Sequence, residues 1–178
     1  MIQKIIKTLC KVLMPPICYA RFIGVKIGEN CVIATKNWSS EPYLIEVGNN
    51  VAITKGVMIH THGGGRVARI KIPNFDMFGK VRIEDGVYIG SAAQIMPGVT
   101  IGKGSLVAGG SIVTKSVPAG VVVAGNPAKF VCTVDEYIER NTKYNVGTKG
   151  LSFADKKKVL LAMDDSKFMK KPYININK

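Results

Sequence analysis

A six-residue period runs through the middle of the chain, over residues 83–118. Cut into sixes, this stretch reads IEDGVY, IGSAAQ, IMPGVT, IGKGSL, VAGGSI and VTKSVP. Each block opens with isoleucine or valine, and its fifth residue is alanine, serine or valine. An α-helix repeats every 3.6 residues and a half-buried strand every two, so neither explains a period of six. The period predicts a parallel β-helix, in which short strands alternate with tight turns and the first residue of each block points into the core.

The segment PGVTIGKGSLVAGGSIVTKSVPAGVVVAGNPAKFV, residues 97–131, resembles the C-terminal coils of hexapeptide-repeat acyltransferases. It is most similar to the maltose, galactoside and capsule-sugar O-acetyltransferases of that family. The resemblance covers residues 25–135 and implies an all-β fold, a left-handed parallel β-helix. It also implies acetyl-CoA as cosubstrate, no metal and assembly as a homotrimer.

We expect one domain over residues 1–178, made of three segments. Residues 1–24 form a helical segment, residues 25–131 the β-helix, and residues 132–178 C-terminal helices with a basic tail. A stretch without repeats, residues 63–79, is expected to leave the β-helix as an extruded loop, and SSEPYL at residues 39–44 is a shorter break. Long loops in compact domains are more often functional than accidental. In the resembled family, a loop at this place covers part of the active site.

The first fourteen residues, MIQKIIKTLCKVLM, predict an amphipathic helix that ends before Pro15 and Pro16. Its apolar residues share one face, and the other face carries Lys4, Lys7 and Lys11. The segment is too short and too charged to span a bilayer, and it lacks the cleavage site of a signal peptide. It either caps the open end of the β-helix or lies on an anionic membrane surface.

Two further helices are predicted near the C-terminus. Residues 133–141 begin with a capping box formed by Thr133 and Glu136, and residues 152–165 begin with Ser152 and Asp155. The final residues, KFMKKPYININK, form a basic tail.

The chain carries a formal net charge of +13, from 25 basic and 12 acidic residues. The cations are scattered, and no nucleic-acid-binding motif is present, so we expect no nucleic-acid partner. An anionic cosubstrate, an anionic membrane or a lipid-linked sugar explains the charge better. The four cysteines have no paired spacing, which favours free thiols in the cytoplasm over a zinc site or disulfides; they are Cys10, Cys18, Cys31 and Cys132.

The only two histidines, His60 and His62, lie in IHTHGGG, where the repeat breaks and the loop begins. Related sugar-modifying enzymes carry a string similar to T-H-D-G-G here, and residues 61–64 match it except that Gly63 replaces the acid. The resemblance therefore implies that His62 is the catalytic base, with His60 as the alternative. As a general base, it would take a proton from a sugar hydroxyl, which then attacks the thioester directly. A covalent route through Cys31 is a minor alternative.

The resemblance also assigns residues to the two substrates. The residues that match CoA contacts of the family are Ser91, Gly109, Thr114, Lys115 and Lys129. The candidates for the acceptor are Glu41, Asn74 and Asp76, with Trp38 or Tyr43 stacking on a sugar face. Each is also explained by ordinary turn geometry, since small and polar residues are needed at the corners of any β-helix.

The function that these residues favour is O-acetylation of a sugar, in cell-surface polysaccharide biosynthesis. The alternatives on the same fold are N-acetylation of an amino sugar, acetylation of an antibiotic or of serine, and a non-catalytic scaffold subunit. A zinc-dependent carbonic anhydrase on a similar β-helix requires three histidine ligands, which two histidines spaced by one residue do not supply.

Overall fold

The computed structural model describes residues 2–176, without the side chains of residues 2–5 and 7. Predictions that concern those side chains, such as the placement of Lys4 and Lys7, lie outside the described residues. The chain divides into two compact units, residues 1–135 and residues 136–178. The single domain that the sequence predicts therefore stays a prediction.

The first unit is built from three sheets of short strands. The first sheet has the order β1-β4-β7-β10, the second β14-β13-β11-β8-β5-β2 and the third β12-β9-β6-β3. All pairings are parallel except that of β13 with β14. The strands are β1 Lys26–Ile27, β2 Val32–Ile33, β3 Asn37–Trp38, β4 Ile45–Val47, β5 Ala52–Ile53, β6 Met58–Ile59, β7 Val81–Ile83, β8 Tyr88–Ile89, β9 Gln94–Ile95, β10 Thr100–Ile101, β11 Leu106–Val107, β12 Ile112–Val113, β13 Val121–Gly125 and β14 Ala128–Thr133.

One turn of this β-helix takes eighteen residues, because Thr100 pairs with Arg82 and Leu106 pairs with Tyr88. Three six-residue blocks thus complete one coil, and each block supplies a strand to a different sheet. The predicted inward positions are confirmed: Ile89, Ile95 and Ile101 are 0% exposed, and the fifth positions of the blocks are buried as well. Stacked β-branched residues suit this core, since branched side chains pack well on a pleated surface.

The register shows where chain has been added to the regular coil. Between the first two coils Lys26 pairs with Glu46, twenty residues on, because residues 39–44 form a bend with a 3-10 helix at Pro42–Leu44. Between the next two coils Glu46 pairs with Arg82, thirty-six residues on. That spacing is two full coils long, so a coil's length of chain leaves the β-helix here, which confirms the extruded loop at residues 63–79.

Glycine is required where the loop returns to the coil. A Cβ on Gly79 would lie 2.2 Å from the backbone nitrogen of Gly98 in the next coil. The loop ends are also joined by backbone, through an antiparallel bridge between His62 and Phe78 and a 2.8 Å hydrogen bond from Gly79 N–H to the carbonyl of Thr61. These contacts fix the position of His62.

Two helices precede the β-helix, and only the first is predicted from sequence. Helix α1 spans Ile2–Leu13, as its amphipathic pattern indicates. Helix α2, Pro16–Phe22, follows directly, because proline is well tolerated at the first position of a helix. A proline at the start of a helix is a known sequence signal, but the sequence prediction takes both prolines only as the end of α1. Helix α2 buries Tyr19 and Ala20, and Ala20 belongs to the core cluster of the β-helix.

Of the remaining helices, the two near the C-terminus lie where the sequence predicts them, and the one in the extruded loop is not predicted. Helix α3, Gly65–Ala68, is a single turn within the extruded loop. Helix α4, Val134–Thr142, and helix α5, Phe153–Leu161, lie where helices are predicted, although α5 ends four residues early and a 3-10 helix follows at Asp165–Lys167. Ser152 caps α5 by accepting a 3.1 Å hydrogen bond from the backbone N–H of Asp155. No helix in the described range is long and apolar enough to cross a membrane.

Candidate active site

The side chains of His62 and Glu41 meet at the mouth of the extruded loop. His62 Nδ1 lies 2.7 Å from Glu41 Oε2, and the two residues are 21 positions apart in sequence. His62 follows β6 in the second coil, whereas Glu41 lies in the bend that ends the first coil. Stacking of the coils therefore supplies the carboxylate that the sequence lacks at Gly63, beside the histidine.

Neighbouring hydroxyl groups hold this pair in place. Thr61, which is 0% exposed, donates a 2.7 Å hydrogen bond from Oγ1 to Glu41 Oε2. Its backbone N–H donates to Ser39 Oγ at 3.2 Å. These two hydrogen bonds of Thr61 join the end of β6 to the bend 39–44. They hold Glu41 and His62 in their relative positions.

The hydrogen bond to Glu41 determines which nitrogen of His62 can accept a proton. An ionised carboxylate only accepts hydrogen bonds, so the Nδ1 atom carries the hydrogen that it donates to Glu41. The lone pair of the neutral ring then lies on Nε2, the outer nitrogen. A histidine held by a carboxylate in this way is oriented to act as a general base.

Glu41 is held in its ionised form. Burial acts to raise the pKa of its carboxyl group, but hydrogen bonds from Thr61, His62 and Ser40 outweigh that effect, and the pKa lies below its usual value. A carboxyl group with a lowered folded pKa stabilises the fold fully above its unfolded pKa, and this contribution is lost only as pH falls through the lower value. The Glu41 carboxylate therefore stays ionised at neutral pH and loses its charge only below the usual pKa of a glutamate.

A cavity of about 370 Å³ opens beside this pair. Its size falls in the range of small-ligand sites. Besides the pair itself, the residues that line it are Ser40, Gly63, Gly64, Gly65, Arg66, Arg69, Asp76 and Phe78. Neither arginine is predicted from sequence as a site residue, although both lie in the extruded loop 63–79.

His60 lies outside this cavity. Its Nε2 atom is 3.3 Å from the side-chain oxygen of Gln94, on the third sheet. Residues two apart share a face in a regular strand, but β6 ends at Ile59, and the two histidines have different partners: His60 contacts Gln94, whereas His62 contacts Glu41. The geometry therefore favours His62 over His60 as the base.

Two of the residues predicted to bind CoA stack on each other. Ser91 and Gly109 occupy the same turn, between the second and third sheets, in successive coils, and the carbonyl of Ser91 accepts a 2.8 Å hydrogen bond from Gly110 N–H. A Cβ on Gly109 would lie 3.1 Å from the Ser91 carbonyl oxygen, and one on the neighbouring Gly90 would lie 2.4 Å from the backbone nitrogen of Gly109. This corner therefore exposes backbone with little side-chain cover.

The other three predicted CoA residues lie in the most C-terminal part of the β-helix and are exposed. Thr114 and Lys115 follow β12, and Lys129 lies in β14, paired with Ala124 of β13. Among the described residues, no hydrogen bond or ion pair joins them to the corner of Ser91 and Gly109, and their role in binding stays a prediction.

The candidates for the acceptor separate into two groups. Asp76 and Glu41 line the cavity. Asn74 is an exposed loop residue outside its wall, and Trp38 is partly buried and packs against the hydrophobic core. Stacking of Trp38 on a sugar stays a prediction. Tyr43 is 64% exposed. Cys31 lies between β1 and β2 and donates to the carbonyl of Gly48, not to either histidine.

Replacing Glu41 with glutamine is expected to lower kcat for the reaction of this site about 10- to 100-fold. The amide loses the charged hydrogen bond to the ring, which contributes about 1.5–3 kcal/mol. Steady-state kinetics would measure the effect. Glu46→Gln is the matched control, because Glu46 is also ion-paired, with Lys26 and Arg82, but lies on the first sheet. Equal kcat values for Glu41→Gln and wild type would contradict the role of Glu41.

The chain is similar to several known proteins. Family models match at residues 80–115, described as bacterial transferase hexapeptide (six repeats), and at residues 18–35, described as hexapeptide repeat of succinyl-transferase. Protein CapG of Staphylococcus aureus is 41% identical over 148 residues, which cover 79% of this chain and 84% of CapG. A 2,3,4,5-tetrahydropyridine-2,6-dicarboxylate N-acetyltransferase of Clostridium perfringens is 59% identical over 61 residues, which cover 34% of this chain and only 26% of that enzyme.

Solved structures share the fold. A hexapeptide-repeat acetyltransferase of Vibrio cholerae superposes with a TM-score of 0.61 at 21% identity, covering 72% of this chain and 86% of the other. A galactoside acetyltransferase in complex with coenzyme A superposes with a TM-score of 0.58 at 22% identity, covering 78% and 82%. These likenesses support the left-handed parallel β-helix.

Proposed function

Because the chain belongs to the hexapeptide-repeat family of acetyl-CoA-dependent acetyltransferases, we propose that it transfers an acetyl group to a hydroxyl of a sugar. The observation that carries this proposal is the 2.7 Å contact of Glu41 with His62 at the cavity. Among relatives of this fold, the galactoside acetyltransferase has a sugar acceptor. The resemblance of residues 97–131 to capsule-sugar O-acetyltransferases gives the context that we propose, cell-surface polysaccharide biosynthesis.

In the proposed mechanism, Nε2 of His62 takes the proton of the acceptor hydroxyl. The oxygen attacks the thioester carbon of acetyl-CoA and forms the new C–O bond, which gives a tetrahedral oxyanion. The C–S bond then breaks as this intermediate collapses. The thiolate of CoA leaves and takes up the proton from the imidazolium. Glu41 stabilises the charged ring, and backbone N–H groups of the coil are proposed to stabilise the oxyanion.

The CoA site is proposed to run along the corner of Ser91 and Gly109 towards the exposed lysines. The small residues there leave the backbone open to a narrow pantetheine arm. Lys115 and Lys129 carry the positive charge that suits the phosphates of CoA, and Thr114 adds a hydroxyl. We expect Ser91→Ala to weaken CoA binding little. The lysines should contribute more, because their hydrogen bonds to phosphate are charge-assisted.

We propose a homotrimer, as in the resembled family, with the cosubstrate between neighbouring coils. The formal mass of one chain is 19.2 kDa. Sedimentation equilibrium at three times that mass supports the trimer, and a mass of 19.2 kDa contradicts it.

We also propose a cytoplasmic location with peripheral contact at the inner membrane face, through residues 1–14. Ile6, Leu9, Val12 and Leu13 of α1 are 47–71% exposed, and Lys11 adds a cation. Such a helix can lie in the surface of an anionic bilayer. The free cysteines agree with a reducing compartment.

The helix proposal predicts that the whole chain co-sediments with vesicles containing phosphatidylglycerol and that Leu9→Glu weakens binding about tenfold, because a buried leucine contributes roughly 1.5–3 kcal/mol. Leu161→Glu is the matched control, since Leu161 is also exposed, at 76% against 57% for Leu9, but lies in α5. Equal binding by both variants and wild type would favour the alternative, a helix that caps the β-helix.

The test of the function is release of free thiol from acetyl-CoA against a panel of sugars. Release that requires a sugar supports the proposal, and mass spectrometry of the product places the acetyl group on oxygen or nitrogen. Faster turnover of amino sugars with an N-acetyl product would favour N-acetyltransfer, for which the C. perfringens relative is a specific observation. Absence of acetyl-CoA binding would favour the scaffold alternative.

A further inference from the structure

The cavity beside His62 has a cationic wall that the proposed acetyl transfer does not use. Arg66 and Arg69 both line it. Over residues 63–79, the loop that supplies this wall carries three cations, Arg66, Arg69 and Lys71, against one acid, Asp76. An excess of positive charge at the mouth of a cavity favours an anionic ligand.

The two arginines differ in what they contact. Arg69 is fixed by the loop itself: Nε donates a 2.8 Å hydrogen bond to the carbonyl of Phe75, and Nη2 lies 3.3 Å from Asp76 Oδ1. Arg66 is exposed and has no ion pair with any described carboxylate. The other acid of the cavity, Glu41, already accepts hydrogen bonds from Thr61 and His62. Arg66 is therefore the cation of the cavity whose charge no carboxylate balances.

The glycines beside Arg66 keep the cavity open. A Cβ on Gly63 would meet no atom within 4 Å, so the space there is free for a ligand. Gly64 has φ +70°, a backbone conformation that other residues rarely adopt. The wall between His62 and Arg66 is consequently backbone, and a ligand can reach both side chains across it.

We propose that the acceptor sugar carries an anionic group, a phosphate or a carboxylate, which Arg66 binds while a hydroxyl of the same molecule lies at Nε2 of His62. This inference rests on the proposed function and specifies its substrate class. A guanidinium offers a planar fork of donors that fits either group in two parallel hydrogen bonds. The CoA phosphates are proposed to bind at Lys115, which follows β12, and at Lys129 in β14. Arg66 lies instead in the loop between the third and first sheets.

The test uses matched probes that differ in one group: glucose, glucose 1-phosphate and glucuronate. Isothermal titration calorimetry measures their binding to the whole chain, and thiol release from acetyl-CoA measures turnover. The variants are Arg66→Gln, which removes the charge, and Arg66→Lys, which keeps the charge without the fork. Lys71→Gln is the matched control, because it removes a cation of the same loop that does not line the cavity.

We expect wild type and Lys71→Gln to bind at least one anionic probe more tightly than glucose. Arg66→Gln should weaken binding of that probe about 10- to 100-fold and leave KM for acetyl-CoA unchanged, with partial recovery in Arg66→Lys. The preferred probe distinguishes phosphate from carboxylate. The proposal is overturned if wild type binds glucose as tightly as both anions, or if Arg66→Gln binds the anions as wild type does.

Failure of this proposal and failure of the proposed function have different signatures. If thiol release requires a sugar and His62 but Arg66→Gln matches wild type with every acceptor, the function holds and the anionic acceptor is wrong. If acetyl-CoA is neither bound nor consumed, the function is wrong, and the calorimetric comparison still decides whether Arg66 binds an anion. A raised KM for acetyl-CoA in Arg66→Gln would assign this arginine to the cosubstrate and overturn the proposal.

Discussion

His62→Ala is expected to lower kcat for acetyl transfer about 10²- to 10⁴-fold, the contribution that a positioned general base typically makes. The alanine removes Nε2, so the acceptor hydroxyl must lose its proton to water. The KM for acetyl-CoA should change little, because the ring is proposed to act on the acceptor and not to bind CoA. Thiol release under saturating acetyl-CoA would measure the loss.

His60→Ala discriminates between the two histidines. His60 lies outside the cavity and contacts Gln94, so we expect its loss to change kcat no more than a few-fold. Full activity in His62→Ala together with loss in His60→Ala would make His60 the base. Full activity in both variants would exclude histidine base catalysis for this chain.

Ile95→Ala is expected to lower the free energy of unfolding by about 2–5 kcal/mol, the range for truncation of a buried isoleucine. Ile95 is 0% exposed and stacks between Ile59 and Val113 in the third sheet. The neighbouring coils are held by parallel backbone pairing and cannot collapse into the cavity that the truncation leaves. Denaturant unfolding followed by circular dichroism would measure the change.

The matched control is Ile70→Ala, the same chemical change at an isoleucine that is 83% exposed in the loop. Its effect should stay within about 0.5 kcal/mol. Equal stabilities of Ile95→Ala and wild type would show that the stacked isoleucines are not the main support of the fold.

The repeating part of the fold could be predicted from sequence because its information is local. Each six-residue block indicates its own inward position, so the buried ladder and the extruded loop could be predicted by counting residues, and both are confirmed. The family was predicted from the resemblance of residues 97–131 and is confirmed by the similarity to CapG. Helix α2 could not be found in this way, since Pro16 reads equally as the end of one helix and the start of another. The antiparallel return of β14 also depends on pairing with β13 and leaves no mark on the period.

The candidate site shows the opposite balance. The sequence alone determined that two histidines lie where the repeat breaks and an extruded loop begins, and the family resemblance then indicated His62. Only the tertiary structure decided that Glu41 is the partner of this histidine, that Trp38 packs against the core, and that Arg66 lines the same cavity. The physical reason is that a β-helix repeats along the chain but brings residues together across its coils. Contacts such as that between Glu41 and His62 depend on how many extra residues each bend and loop inserts between paired strands. The six-residue period along one coil does not give that number.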